Sequence, residues 1–324
     1  MKTLFALMLL SACVVSAATE DKINKTFTVS PGGELVVEVG FGSIEVVASP
    51  DFHEVSVEGW RKITRSSEAD EVSFLKDNPI ELSQEGNTVI VRAPARMSWS
   101  WFSGWRNRNE ARYTVHVPTE FSTKLKTSGG SIAVSNVSGS VKANTSGGSL
   151  RFTNVHGPID GHTSGGSIKT VDCTGDLLIG TSGGSIDVAG GSGSLHGNTS
   201  GGSVTVKTFN GPVEVGTSGG GITIENTRGK ISGHTSGGSI HATLLSPIQD
   251  DIELTTSGGG VTVKVPADAA FALDAGTSGG GVHSDLPVTT QGDLKHNHIK
   301  GTINGGGPSV QLHTSGGGIN VQKL

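Results

Sequence analysis

Three tryptophans and three arginines stand close enough along the chain to build one binding surface. Trp99, Trp101 and Trp105 fall within seven residues, and Arg106, Arg108 and Arg112 follow them. Trp and Arg dominate binding hot spots, because indole rings desolvate a broad face and guanidinium groups make forked hydrogen bonds to anions. Exposed, the segment 97–108 suits stacking on sugars, a partner protein or an anionic membrane surface. Trp99 and Trp101 also share strand parity, so the competing reading is a plug laid on the core.

Other reactive residue types are present but scattered. The outward acids Asp160, Asp187 and Glu214 are the candidates for a glycan-cleaving site. Asp160 and Glu214 hold the same position in an 18-residue repeat but lie three repeats apart. At strand spacing that is ~14 Å, beyond the separation that paired carboxylates need for glycoside hydrolysis. His162 and His234 likewise share a position but lie four repeats, ~19 Å, apart. His296 and His298 supply two ligands where a structural zinc takes four. The reading is therefore a non-enzyme with no cofactor and no metal site. Cys173 reads as a small buried hydrophobe.

The elements that must position these groups come from the repeat. Thr-Ser-Gly-Gly begins at Thr127, Thr145, Thr163, Thr181, Thr199, Thr217 and Thr235, always 18 residues apart, then at Thr256, Thr277 and Thr314. Between them apolar and polar residues alternate with strand period. Each unit reads as two short strands and two turns, with glycine supplying positive φ at the Ser-Gly-Gly turn and Val137 pointing inward at the other. One inward column runs Ile132, Leu150, Ile168, Ile186, Val204, Ile222, Ile240, Val261, Val282, Ile319. A second runs Val141, Ile159, Leu177, Leu195, Val213, Ile231, Ile252. A third mixes small and large residues, Ala143, Gly161, Ile179, Gly197, Val215, Gly233, Leu254, as interdigitating layers would. The repeat threonines share inward parity, so they read as corner residues rather than an ice-binding ladder. Burying one coil's side chains does not offset the entropy of ordering its backbone, so coils must stack. Residues 303–307 read as one degenerate copy, giving ten or eleven coils and a rod roughly 50 Å long. The fold class is all-β, a parallel β-solenoid over residues 127–324.

Composition agrees. Of 324 residues 50 are glycine, only 16% are charged, and the net charge is −5, which leaves no basic footprint for nucleic acid. Residues 1–18 read as a signal peptide: Lys2, then an apolar stretch too short to span a bilayer, then small residues. A lipobox-like Leu10-Ser11-Ala12-Cys13 leaves Cys13 as a possible lipidation site. No transmembrane span is expected.

Residues 19–126 read as an N-terminal β-rich cap, needed because an open solenoid end exposes strands and core. Phe41-Gly42-Ser43-Ile44-Glu45-Val46 looks like a shortened first coil, and residues 67–77 like a short helix capped by Ser66 or Ser67. Val117-Pro118…Phe121 and Val265-Pro266…Phe271 each precede a Thr-Ser-Gly-Gly, hinting at duplication. The Thr-Ser-Gly-Gly-Ser-Ile coils, the opening Phe27-Thr28-Val29-Ser30-Pro31-Gly32-Gly33-Glu34-Leu35 and the closing Ile303-Asn304-Gly305-Gly306-Gly307-Pro308 resemble the bacterial DUF4097 family of adhesin-like proteins. The resemblance implies an exported or envelope β-solenoid and carries over no catalytic motif. The expected role is a non-enzymatic scaffold, in the periplasm or at the cell surface, that binds a protein or glycan. A periplasmic sensor or regulatory partner and a polysaccharide-acting β-helix enzyme are the alternatives.

Overall fold

The structure, a computed structural model, describes residues 19–94, 108–290 and 295–324. Two long sheets, of fourteen and fifteen strands, face each other across one hydrophobic core. One coil shows how the chain alternates between them. Ile132–Ser135 lies in the first sheet, Val141–Thr145 in the second, and Leu150–Thr153 returns to the first. Successive coils pair in parallel, Leu150 beside Ile132 and Ile168, Val141 beside Ile159. The period-2 alternation puts every member of the expected columns except Val282 inside, and Val282 packs half-buried against the core. Glycine in the third column makes room for neighbours: a Cβ on Gly161 would press on the Phe152 ring.

The corner threonines are buried and bonded in both directions. Thr163 Oγ1 donates to Gly148 O of the preceding coil at 2.7 Å and accepts from Gly166 N–H at 3.4 Å. The same pair of bonds recurs from Thr145 to Thr314. The corner glycines do not adopt positive φ, contrary to the reading from sequence. The second glycine is required by close approach instead: a Cβ on Gly148 would overlap the Gly130 carbonyl. Positive φ falls at the opposite turn, at Asn136, Asn154, Asp172, Thr208 and Asn226. Asn and Asp tolerate that region better than most residues.

At both ends the layers depart from chain order. After Val261–Val265 the chain steps over one layer to Phe271–Thr277. The gap is filled later by Ser309–Thr314 and Ile319–Lys323. The N-terminal end mirrors this. Arg108–Pro118 leads over one layer to Phe121–Lys126, and Gly33–Val39 with Ser43–Ser49 occupies the gap. The two Val-Pro…Phe segments thus mark the same two-layer step. Ile44 stands beside Ile132 as the shortened coil requires, but Thr88–Ala93 and Arg108–Pro118 form a further layer outside it. Residues 303–307 are not a degenerate coil. His298–Ile303 runs antiparallel to Phe271–Thr277, and Asn304 Nδ2 ties the loop to Ala267 O and Ala269 O.

The N-terminal end is closed by antiparallel strands, Thr19–Thr28 and Glu54–Thr64 on the first sheet and Glu81–Glu85 on the second. The helix Glu68–Asp77 begins at Ser67, whose hydroxyl accepts from Asp70 N–H, and Phe74 meets Phe41 at the corner with ring centroids 6.4 Å apart.

Candidate binding surface

Strand alternation that buries the aliphatic columns turns the intervening residues to solvent on two broad faces. On the second sheet one outward column reads Lys142, Asp160, Leu178, His196, Glu214. Its charges are matched between adjacent coils or along one strand: Lys142 Nζ to Asp160 at 2.7 Å, His162 to Asp160 at 3.0 Å, His196 to Glu214 at 3.4 Å. The first sheet repeats the device with Lys169 and Asp187, 3.6 Å, and Lys207 and Glu225, 3.0 Å. Asp160 and Glu214 therefore lie on one face, two strands between them, and Asp187 on the other. Each carboxylate has a cationic or imidazole neighbour, and the structure does not bring the three together. His162 and His234 share a column with three strands between them.

His298 is drawn to an acid: its Nε2 lies 2.8 Å from Asp274 Oδ1, and Lys300 Nζ lies 3.0 Å from Oδ2. The His298 hydrogen bond, followed by that of Lys300, holds the Asp274 carboxyl below its usual range. A shallow cleft of ≈ 440 Å³ opens here, lined by Asp274, Thr277, Asn297, His298 and His313. Among the described residues no three His, Cys, Asp or Glu side chains converge on a metal-sized site. Cys173 is a buried free thiol whose pKa burial pushes up.

Of the sequence-derived binding residues, Trp99, Trp101, Trp105 and Arg106 lie outside the described residues, as do Cys13 and the segment 1–18. Arg108 opens the strand Arg108–Pro118. The strands Thr88–Ala93 on the second sheet and Arg108–Pro118 on the first occupy the same layer, outside that of Gly33–Val39 and Ser43–Ser49. Arg112 is exposed and stands directly across from Trp60 on the antiparallel strand. Trp60 donates its indole N–H to Glu20 at 3.3 Å. Together with Lys22, Glu58 and Thr114 these two residues line a cleft of ≈ 480 Å³ on the outer face. Trp60 lies outside the Trp/Arg cluster that spacing marks. Its signal is parity, opposite to the inward Val55, Val57 and Ile63.

The layered parallel sheets, threonine corners and matched polar faces define a two-sheet β-solenoid. The chain belongs to the Toastrack DUF4097 family, whose model matches residues 55–322. Among solved structures it is similar to a candidate adhesin from Parabacteroides distasonis, at 12% identity over 94% of this chain and 97% of that one, TM-score 0.37. A candidate lipid-binding protein from the same organism matches at 13% identity over 94% and 97%, TM-score 0.34. A candidate adhesin from Bacteroides fragilis matches at 11% identity over 94% and 97%, TM-score 0.30. No curated protein matches the chain. Among the described residues no helix is long and apolar enough to cross a membrane.

Proposed function

We propose that the protein is an exported, non-catalytic β-solenoid scaffold that works at the periplasm or cell surface and engages a protein or glycan in the manner of an adhesin. The observation that carries this reading is the pattern of its outward columns. Polar and charged side chains repeat at strand spacing over two broad faces, and the acids are matched to neighbouring basic groups instead of gathered with a base. Such faces favour many weak contacts, whose combined strength grows with the number engaged.

The point of strongest contact in this proposal is the N-terminal end. Trp60 and Arg112 share one cleft there, and Trp99, Trp101, Trp105, Arg106 and Arg108 belong to the segment that enters or begins the Arg112 strand. An indole ring and a guanidinium group in one cleft suit the face of a sugar or an acidic protein surface. The purified protein should recover the same envelope component in pull-downs and bind a defined subset of a glycan array. Trp60→Ala with Arg112→Ala, and separately Trp99/Trp101/Trp105→Ser, should each reduce binding at least tenfold with the fold intact. Equal recovery by wild type and both variants defeats the site. Cleavage of acidic polysaccharide that is lost on Asp160→Asn or Glu214→Gln defeats the scaffold reading in favour of an enzyme.

A further inference from the structure

One buried carboxylate serves none of these surfaces. Glu71, on the helix Glu68–Asp77, is fully shielded from solvent. Its Oε1 accepts the Arg65 backbone N–H at 2.9 Å. Its Oε2 accepts two bonds from one residue, Thr19: the backbone N–H at 2.9 Å and Oγ1 at 2.7 Å. All three donors are neutral; the Arg65 guanidinium favours the Glu71 charge from a distance, but among the described residues no side-chain cation reaches Glu71 within ion-pair distance. Burying a charge whose direct hydrogen-bond donors are all neutral is costly, and such groups are ordinarily matched by an opposite charge in contact. The Arg65 guanidinium instead lies over the Phe74 ring, 4.3 Å from its centroid, and the buried Arg61 is engaged by Asp21 and by Asn78 O.

Thr19 directly follows Ser16-Ala17-Ala18, small residues at the two positions that signal peptidases read. We propose that the bond between Ala18 and Thr19 is the processing site, and that Glu71 is the receptor for the α-ammonium of Thr19 that cleavage creates. In that step a signal peptidase adds water across the peptide bond. The C–N bond breaks, the hydroxyl of water goes to the Ala18 carbonyl carbon and its proton to the Thr19 nitrogen; the new carboxylic acid then ionises, and the amine takes up that second proton through solvent to become the α-ammonium. A neutral N–H donor to Glu71 becomes a cation at the same atom, and a charge-assisted bond is roughly twice as strong as a neutral one. Cleavage one residue earlier would leave Thr19 N–H a neutral amide and place the new charge on Ala18. The geometry thus favours cleavage after Ala18 over cleavage after Ala17. The proposal rests on the export reading of residues 1–18, and the receptor completes the N-terminal end only after export.

The first test is N-terminal sequencing and intact mass of the protein recovered from cells. A chain starting at Thr19 is expected. A start at Ala18, or a lipidated Cys13, overturns this proposal while leaving export standing; retention of residues 1–18 overturns both. The second test compares chains made to start at Thr19 and at Ala18. The Thr19 form should have an unfolding equilibrium constant about tenfold smaller, and Glu71→Gln should abolish that gap. An equal gap in the Gln variant, or none in the wild type, overturns the pairing. Where Glu71→Gln does not fold, amine labelling decides. The Thr19 α-amine of the native wild type should react at least tenfold more slowly than in the unfolded chain, and equal rates overturn the proposal.

Discussion

Thr314, the last repeat threonine in the chain, stands directly beside Thr256 and hydrogen-bonds Gly259 O at 2.6 Å, while Thr277, which follows Thr256 in sequence, stands on its far side. The C-terminal coil is therefore an interior layer. Val310, Leu312, Ile319 and Val321 fill the core between segments that precede them by dozens of residues. The chain's end is held on both faces, and Phe271–Thr277 depends on a strand made after it.

Removing residues 309–324 should consequently cost more than one coil. Phe271–Thr277 loses its parallel neighbour, and residues 266–303 should become sensitive to limited proteolysis. Deleting residues 163–180 removes a full period from the middle and preserves every register, because Leu150 can pair with Ile186 as it now pairs with Ile168. That shortened chain should remain folded with a Tm lower by a few degrees. Equal protease resistance in both deletions would contradict the threaded arrangement.

The two corner glycines should behave differently. Gly148→Ala places a methyl group on the Gly130 carbonyl and should cost about 3 kcal/mol or more. At Gly147 the nearest atom to a new Cβ is 3.6 Å away, and Gly147→Ala should change stability by less than about 0.5 kcal/mol. Urea denaturation of the two variants measures the contrast, and similar losses would show that conformational freedom, not approach of backbones, selects glycine here.

Thr163→Val keeps the shape of the side chain and removes its hydroxyl. Gly148 O loses a donor and Gly166 N–H an acceptor, at a cost of about 1–3 kcal/mol. Thr163→Ser keeps both bonds and should lose clearly less. Chemical denaturation of the pair separates the hydrogen bonds from the methyl packing; a serine variant as weak as the valine one would place the contribution in packing.

Acid should act through Glu71. The Arg65 amide bond, and then the Thr19 hydroxyl, hold its carboxyl below the ordinary range in the folded chain. The stabilisation is present above the unfolded value of about 4.3 and is lost as pH falls through the lower folded value. The unfolding midpoint of the wild type should therefore fall more steeply below pH ~4 than that of Glu71→Gln. Parallel curves would show that Glu71 titrates alike in both states.

Much of this molecule is legible in its sequence. Period-2 alternation around Ile132, Leu150 and Ile168 names the core, the parity of Thr163 puts it at an inward corner, and Cys173 falls in a buried column. Ser66 and Ser67 followed by Glu68 and Asp70 mark the helix start to within a residue, and the structure makes Ser67 the cap. These are local properties, and a repeat states each of them many times over. The order of layers at the ends is a different matter. Strands pair through backbone groups that carry no side-chain address, so the alternation around Val310 fits beside Ile252 or beside Leu273, and in the fold it sits between them. The pairing of Trp60 with Arg112, the meeting of Thr19 with Glu71, and the role of Gly148 likewise join residues that are distant in sequence. Only the three-dimensional stacking, where every layer must find backbone partners and a closed core, decides them.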